Sequence, residues 1–151
     1  MYGEYIMKII VINGPNINLL GIREPEIYGD RSYEDLINYI EGGAKALDVE
    51  VTYFQSNHEG DIIDEIQGAL GAFDGIVINP AGYTHTSVAI LDALKAVGLP
   101  AVEVHISDIE SRDEFRKISL TKGGCIAGVV GKGFDGYVMA IKLIKNHLES
   151  R

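Results

Sequence analysis

Residues 8–16 read KIIVINGPN, and this stretch decides the fold class. Its β-branched apolar run, residues 9–12, is typical of a strand that is buried on both faces, as strands of parallel sheets are. The run passes directly into Asn-Gly-Pro-Asn at residues 13–16, which is polar, turn-forming sequence. The stretch therefore predicts a central strand of an α/β sheet with polar side chains at its carboxyl end.

Two further stretches repeat this change from apolar to polar sequence. NPAGYTH at residues 79–85 and HIS at residues 105–107 each follow directly on a short apolar run. In an open α/β sheet, ligands bind in the crevice outside the carboxyl ends of the strands. Three polar clusters at three strand ends therefore predict one shared pocket.

Apolar residues at helical spacing separate the strands and complete the predicted fold. The predicted strands cover residues 9–12, 49–54, 75–78, 101–104 and 126–130, and the predicted helices begin at Ser32, 60–61, 86–87 and 137, with a short helical turn over 112–118. The second helix is expected to bury an apolar side that includes Leu70. Because strands and helices alternate, the sheet should be parallel with helices on both faces. Five strands match a flavodoxin-like α/β three-layer sandwich of order 2-1-3-4-5, which places strands 1, 3 and 4 side by side.

Length and composition indicate an ordinary globular chain. The 151 residues predict a single domain over 1–151, with 1–5 as a short disordered lead-in and 20–31 as an active-site lid loop. A net charge of -9 argues against a nucleic-acid partner. No stretch is long and apolar enough to span a membrane, and the first residues lack the pattern of a signal peptide. These features predict a cytoplasmic protein.

Several familiar site motifs are incomplete in this sequence. Gly131, Gly133 and Gly136 match G-x-G-x-x-G, but the acidic residue of a dinucleotide site, about 20 positions further on, is missing. These glycines therefore predict a tight turn. The histidines lack metal-ligand spacing, and no metal or cofactor is expected. Cys125 lies in an apolar run, which predicts an unreactive core thiol.

Tyr28 and Arg23 lie in the predicted lid loop. Free tyrosine is a poor base at neutral pH, but an adjacent guanidinium favours the phenolate and lowers the tyrosine pKa. The pair therefore has the composition of a catalytic base and its activator. A tyrosine packed on the surface of a loop is the alternative.

His105 ends a predicted strand that also contains Glu103. Residues two apart on a strand face the same side, so Glu103 is placed to hold a ring proton of His105. A carboxylate within the apolar run AVEVHI is unusual, because buried charge is costly without a partner. A histidine held in this way is a natural general acid, and a purely structural pair is the alternative.

Six further polar side chains lie at or near the predicted strand ends: Asn16, Asn79, His85, Asp92, Arg112 and Arg116. The asparagines suit an enolate oxygen or a substrate hydroxyl, although asparagine before Gly or Pro is also a common turn former. The histidine and the aspartate fall at the start and middle of the third helix, where capping and surface roles are alternatives. The arginines, four apart, lie on one helical face and either bind an anionic or polyhydroxylated ligand or are solvated.

Several long segments together resemble type II 3-dehydroquinate dehydratase over about residues 8–148. The segments are NGPNINLLGIREPEIYG (13–29), FQSNHEG (54–60), INPAGYTHTSVAILDAL (78–94), EVHISDIESRDEFR (103–116) and the glycines at 131 and 133. The resemblance implies a flavodoxin-like fold, a homododecamer built as a tetramer of trimers, and a place in the shikimate pathway. It also implies an anti elimination of water from 3-dehydroquinate, through an enolate, to give 3-dehydroshikimate. No metal, cofactor or Schiff base takes part in that reaction.

The same resemblance implies a role for each candidate residue. Tyr28 corresponds to the general base, and Arg23 to the lid arginine that keeps this tyrosine ionised. Asn16 corresponds to the residue that stabilises the enolate with a water. His105 corresponds to the acid that protonates the leaving hydroxyl, with Glu103 behind it.

Substrate binding is implied for a second group: Asn79, His85, Ile106, Ser107 and Arg116. Arg112 corresponds to an arginine that orients the catalytic tyrosine, and Asp92 to an acid that reaches the site across a subunit contact.

Two features depart from the family pattern. Asp108 replaces the usual Asn after His-Ile-Ser, and residues 120–126 (LTKGGCI) lack the usual Ser-Pro. Neither departure is expected to touch a catalytic position. A non-catalytic flavodoxin-like binding or assembly module is the alternative function, and dehydration of a related cyclic hydroxy-ketone is a third.

Overall fold

A five-stranded parallel sheet organises the chain. The structure is a computed structural model that describes residues 5–22, 26, 29–111 and 113–151. The strands are β1 (Met7–Asn13), β2 (Val49–Gln55), β3 (Gly75–Asn79), β4 (Ala101–His105) and β5 (Ala127–Val130). Their order is β2-β1-β3-β4-β5, and every neighbouring pair is parallel. This confirms the predicted flavodoxin-like order.

The described residues include four α-helices: α1 (Tyr33–Ala46), α2 (Glu59–Gly68) and α3 (Val88–Val97), which lie between successive strands from β1 to β4, and α4 (Asp135–Glu149), which follows β5. Ser32 accepts a hydrogen bond from the Asp35 N–H at 3.1 Å, and Asp35 returns one from the Ser32 N–H at 2.9 Å, so the predicted capping box is confirmed. Ser87, rather than Thr86, caps α3.

Two details of the helix prediction are wrong. Leu70 is 62% exposed, because α2 ends at Gly68 and the helical spacing no longer applies beyond it. His85 lies in a 3-10 turn (Ala81–His85) before α3 and not at the start of that helix.

The sheet divides the core into two layers. Ile9 and Val11 of β1 face the layer that α1 and α4 cover, whereas Ile10 and Ile12 face the layer that α2 and α3 cover. Alternation of side chains along a strand explains why every residue of the run is buried. The two layers confirm the predicted three-layer sandwich.

The strand register brings the polar strand ends to one edge of the sheet. Asn13 of β1 is aligned with Asn79 of β3, and Ile78 of β3 with Glu103 of β4. The residues after these strands therefore emerge side by side.

At Gly14 the backbone that follows β1 lies very close to the backbone at the end of β3. Its N–H donates to the Asn79 carbonyl at 2.8 Å, and an added Cβ would lie 2.5 Å from the Pro80 carbonyl oxygen. We expect Gly14→Ala to lower the free energy of unfolding by about 1–3 kcal/mol, because the backbone must shift to relieve the clash.

Denaturant unfolding measures this effect. Gly42→Ala is the matched control, since a Cβ at this position of α1 meets nothing within 4 Å and improves helix propensity. A Gly14→Ala protein as stable as the unmodified chain would contradict the prediction.

Candidate active site

A cleft with a volume of about 120 Å³ lies at the carboxyl ends of β1, β3 and β4. Its lining includes seven of the predicted site residues: Asn16, Asn79, His85, His105, Ile106, Ser107 and Arg116. The three polar clusters therefore meet in one pocket, as predicted.

The remaining predicted residues divide into three groups. Tyr28, Arg23 and Arg112 lie outside the described residues, as do parts of the predicted lid loop and lead-in. Asp92 is an exposed residue of α3 and is not part of the cleft lining. Glu103 lies behind the cleft, in contact with His105.

His105 and Glu103 form a buried pair on β4. The His105 Nε2 and the Glu103 Oε2 are 2.8 Å apart, and the two residues are 4% and 2% exposed. The prediction that they face the same side of the strand is confirmed. Because an ionised carboxylate only accepts hydrogen bonds, the Nε2 carries a proton, and the Nδ1 is left for proton exchange.

Three hydroxyl groups also contact the Glu103 carboxylate. Thr84 and Ser119 donate to Oε2 at 2.9 and 2.7 Å, and Thr121 donates to Oε1. The expectation that residues 120–126 touch no catalytic candidate is therefore wrong. The Thr121–Gly124 turn packs against β4 and brings the Thr121 side chain onto this carboxylate.

These contacts set the ionisation of Glu103. Burial raises the pKa of its carboxyl, but the hydrogen bond and charge of His105, with hydrogen bonds from Ser119 and Thr121, outweigh burial and hold that pKa below its usual value. The associated stability is present above the unfolded carboxyl pKa and is lost as the pH falls through the lowered one.

Gly131 and Gly133 hold the backbone at the end of β4. Their N–H groups donate to the carbonyls of His105 and Ile106, each at 3.1 Å. Both glycines have positive φ angles, 74° and 60°, which other residues rarely adopt. The predicted tight turn is confirmed, and it fixes the backbone that carries His105.

The backbone of Asn16 is held in place by Asn57, a residue whose role was not predicted from the sequence. Asn16 has a left-handed φ of 70°, and its N–H donates to the Asn57 Oδ1 at 3.0 Å. The Asn57 carbonyl accepts from the Tyr83 hydroxyl at 2.8 Å. The FQSNHEG segment was the available signal, because it places Asn57 just beyond β2.

Asn79 is held by a buried polar network. Its Nδ2 donates to the Tyr137 hydroxyl at 2.9 Å, and its Oδ1 accepts from the Ala81 N–H at 3.0 Å. The Tyr137 hydroxyl donates to the Asn13 Oδ1 at 2.7 Å. Burial raises the pKa of Tyr137, so its hydroxyl stays protonated and continues to donate. Neither Tyr137 nor Asn13 was assigned a role from the sequence.

His85 and Arg116 contribute polar groups to the cleft. The His85 Nδ1 lies 2.7 Å from the Ile118 carbonyl, which requires a proton on Nδ1 and leaves Nε2 as the second ring nitrogen. The Arg116 Nε pairs with Asp113 at 3.2 Å, and its guanidinium lies 5.0 Å from the centre of the Phe115 ring. A guanidinium beside hydrogen-bonding groups suits an anionic ligand.

The other titratable groups offer little additional chemistry. Within the described ranges, no three His, Cys, Asp or Glu residues lie close enough together to hold a metal ion. Cys125 is half-buried; burial, followed by the charge of Glu103, raises the pKa of its thiol to about 12, in keeping with an unreactive cysteine.

A helix that crosses a bilayer needs about 20 consecutive, mostly apolar residues. Among the described residues, no helix could serve as a membrane-spanning segment.

Comparison with known proteins gives a consistent result. The family model described as dehydroquinase class II matches residues 7–145. A 3-dehydroquinate dehydratase of Clostridium acetobutylicum is 55% identical over 142 residues, which cover 94% of this chain and 99% of the relative. One from Clostridium perfringens is 54% identical over 146 residues, covering 96% and 100%.

A solved structure extends the similarity to the fold. The crystal structure of a type II dehydroquinase from Butyrivibrio crossotus superposes with a TM-score of 0.91 at 54% identity, covering 93% of this chain and 98% of that one. Because the sequence match and the fold match both span nearly the whole chain, this chain belongs to the class II dehydroquinase family.

Proposed function

We propose that this chain removes water from 3-dehydroquinate by anti elimination through an enolate, with Tyr28 as the base and His105 as the acid. The chain is a hydro-lyase of the dehydroquinase type, and its reaction belongs to the shikimate pathway. The observation that carries the mechanism is the buried Glu103–His105 pair, which opens onto the cleft at the sheet edge.

The acid step follows from the hydrogen bonds of His105. Glu103 occupies Nε2, so the transferable proton is on Nδ1. In the proposed reaction Nδ1 protonates the departing hydroxyl, and the carbon–oxygen bond breaks as water leaves. The Glu103 carboxylate stabilises the positive charge of the imidazolium before the transfer.

The base step is assigned to the segment 20–31. Tyr28, as a phenolate, takes the proton next to the ketone, and the Arg23 guanidinium favours this ionised form. The electron pair moves to the ketone oxygen to form the enolate. Asn16, with a water, donates hydrogen bonds to that oxygen, and the Asn16 backbone is already held by Asn57. Family resemblance and the position of Asn16 in the cleft lining support these roles.

Substrate recognition is assigned to the rest of the cleft. Ser107 and the backbone of Ile106 follow β4 directly and offer a hydroxyl and N–H groups to a carboxylate. Asn79 and His85 face the ring hydroxyls, and Arg116 supplies positive charge. In the proposed complex Arg112 orients Tyr28.

We further propose that the chain assembles as a homododecamer in which Asp92 reaches the site of a neighbouring subunit. The exposed position of Asp92 on α3 leaves it available for such a contact. Light scattering tests this assembly, and a monomer at assay concentrations would contradict it.

The product assay tests the proposed reaction directly. The product contains a conjugated enone, which absorbs in the ultraviolet, whereas 3-dehydroquinate does not contain one. Purified protein mixed with 3-dehydroquinate should give an absorbance rise proportional to enzyme concentration. Binding of 3-dehydroquinate without any rise would instead indicate a non-catalytic binding module. If the protein converted only another cyclic hydroxy-ketone, that compound and not 3-dehydroquinate would be its substrate.

A further inference from the structure

The geometry points to Thr121 as a positioning residue that fixes the Glu103 carboxylate and, through it, the protonation of the His105 ring. This inference rests on the proposed function, because it assigns a second residue to the acid half of the reaction. It arises in the segment 120–126, the part of the chain that departs from the family pattern.

The carboxylate of Glu103 has as many donors as it has acceptor sites. Its two oxygens offer about four lone-pair positions. The described donors are the His105 Nε2–H and three hydroxyls: Oε2 accepts from the ring, Thr84 and Ser119, and Oε1 accepts from Thr121. Among the described residues, Thr121 is the one donor to Oε1.

This arrangement favours the ionised carboxylate, in keeping with the lowered pKa of Glu103. A proton on the carboxyl would remove an acceptor position from a group that four donors approach, inside a site where Glu103 is 2% exposed. The ionised carboxylate, in turn, requires a proton on the Nε2 of His105. The Nδ1 is then the ring nitrogen that takes part in the proposed reaction. Thr121, which is not part of the cleft lining, therefore acts on the catalytic ring through Glu103.

The position of Thr121 is set by its surroundings. Its side chain is fully buried, and its Oγ1 lies 2.8 Å from the Thr84 Oγ1. The neighbouring Leu120 N–H donates to the Thr84 carbonyl at 2.7 Å, and the Lys122 N–H donates to the Ser119 Oγ at 3.1 Å. The Leu120 bond holds this turn against the 3-10 turn that precedes α3, and the Lys122 bond closes the turn itself.

Few other titratable groups influence this carboxylate. His105 faces it from its own strand, and Cys125, in the segment that leads to β5, lies close enough to feel the charges of both Glu103 and Lys122. The Cys125 thiol, with its pKa raised to about 12, stays neutral at working pH, and Lys122 contributes a positive charge. His85 and Arg116 line the cleft together with His105.

The test compares Thr121→Val with Thr121→Ser. Valine keeps the shape and removes the hydroxyl, whereas serine keeps the hydroxyl. We expect Thr121→Val to lower kcat about tenfold with KM within about twofold, because a lost hydrogen bond to a buried charge impairs the acid and not substrate binding. Thr121→Ser should recover most of the activity. Equal kcat values for the valine variant and the unmodified enzyme would overturn the inference.

A carbon-13 NMR titration of the Glu103 carboxyl provides a readout that does not need turnover. Losing the donor to Oε1 removes a stabiliser of the ionised form, so the Glu103 titration should move to higher pH by roughly one unit in the valine variant and not in the serine variant. An unchanged titration in Thr121→Val would contradict the inference even if the enzyme proves inactive on 3-dehydroquinate. Inactivity of the unmodified enzyme would contradict only the proposed function.

Thermal unfolding shows whether each variant is folded. If Thr121→Val does not fold, Ser119→Ala gives the equivalent test, because Ser119 is half-buried and donates to Oε2 at 2.7 Å. It too should lower kcat and raise the pH at which Glu103 titrates. A folded Ser119→Ala variant with neither change would overturn the role assigned to the hydroxyl groups.

Discussion

Replacing Tyr28 with phenylalanine should lower turnover of 3-dehydroquinate by about 10²–10⁴-fold. The substitution removes the phenolic oxygen that accepts the proton next to the ketone, and general-base catalysis contributes about 10²–10⁴-fold to such steps. Substrate binding should change little, because the ring of the side chain is retained. Initial rates from the enone absorbance and calorimetric titration with substrate measure the two effects.

A matched variant controls for the loss of a tyrosine hydroxyl. Tyr53 on β2 donates to Glu41 at 2.8 Å and is not part of the cleft lining. Tyr53→Phe should therefore retain turnover. Near-normal turnover in Tyr28→Phe would refute the assignment of Tyr28 as the base.

Removing the guanidinium of Arg23 tests how Tyr28 is ionised. A positive charge favours the phenolate, so Arg23→Ala should raise the apparent pKa of Tyr28. The acid side of the pH profile of kcat/KM then moves to higher pH, because more alkaline conditions are needed to form the base. An unchanged profile would remove Arg23 from this role.

The second large effect is expected at His105. Glutamine can keep a hydrogen bond to Glu103 but has no proton that it can release to a leaving hydroxyl. His105→Gln should therefore lower kcat by about 10²–10⁴-fold. His147 lies on an exposed face of α4, so the control variant His147→Gln should have a kcat close to that of the unmodified enzyme.

Solvent exchange separates the acid from the base. The base step does not need His105, so His105→Gln should still exchange the proton next to the ketone with deuterium from the solvent, as seen by proton NMR. Tyr28→Phe should lose that exchange. Loss of exchange in His105→Gln and retention in Tyr28→Phe would reverse the proposed roles.

The sequence alone was sufficient wherever the deciding geometry is local. The alternation of β-branched runs and helical periods predicted the sheet and its order, because burial on both faces and right-handed crossovers leave few arrangements. The capping box at Ser32 and the shared face of Glu103 and His105 followed from spacings of three and two residues. Leu70 shows the limit, since the helical period predicts burial only while the helix continues.

Tertiary structure alone decided which polar groups meet behind the cleft. Thr84, Ser119 and Thr121 come from turns between different elements, and Tyr137 is 124 residues from its partner Asn13. In sequence, a Ser or Thr in a turn resembles an ordinary turn former, and a tyrosine at helical spacing resembles a core residue. Their partners are set by strand order and by how the connecting turns pack, because a hydrogen bond depends on distance in space and not along the chain.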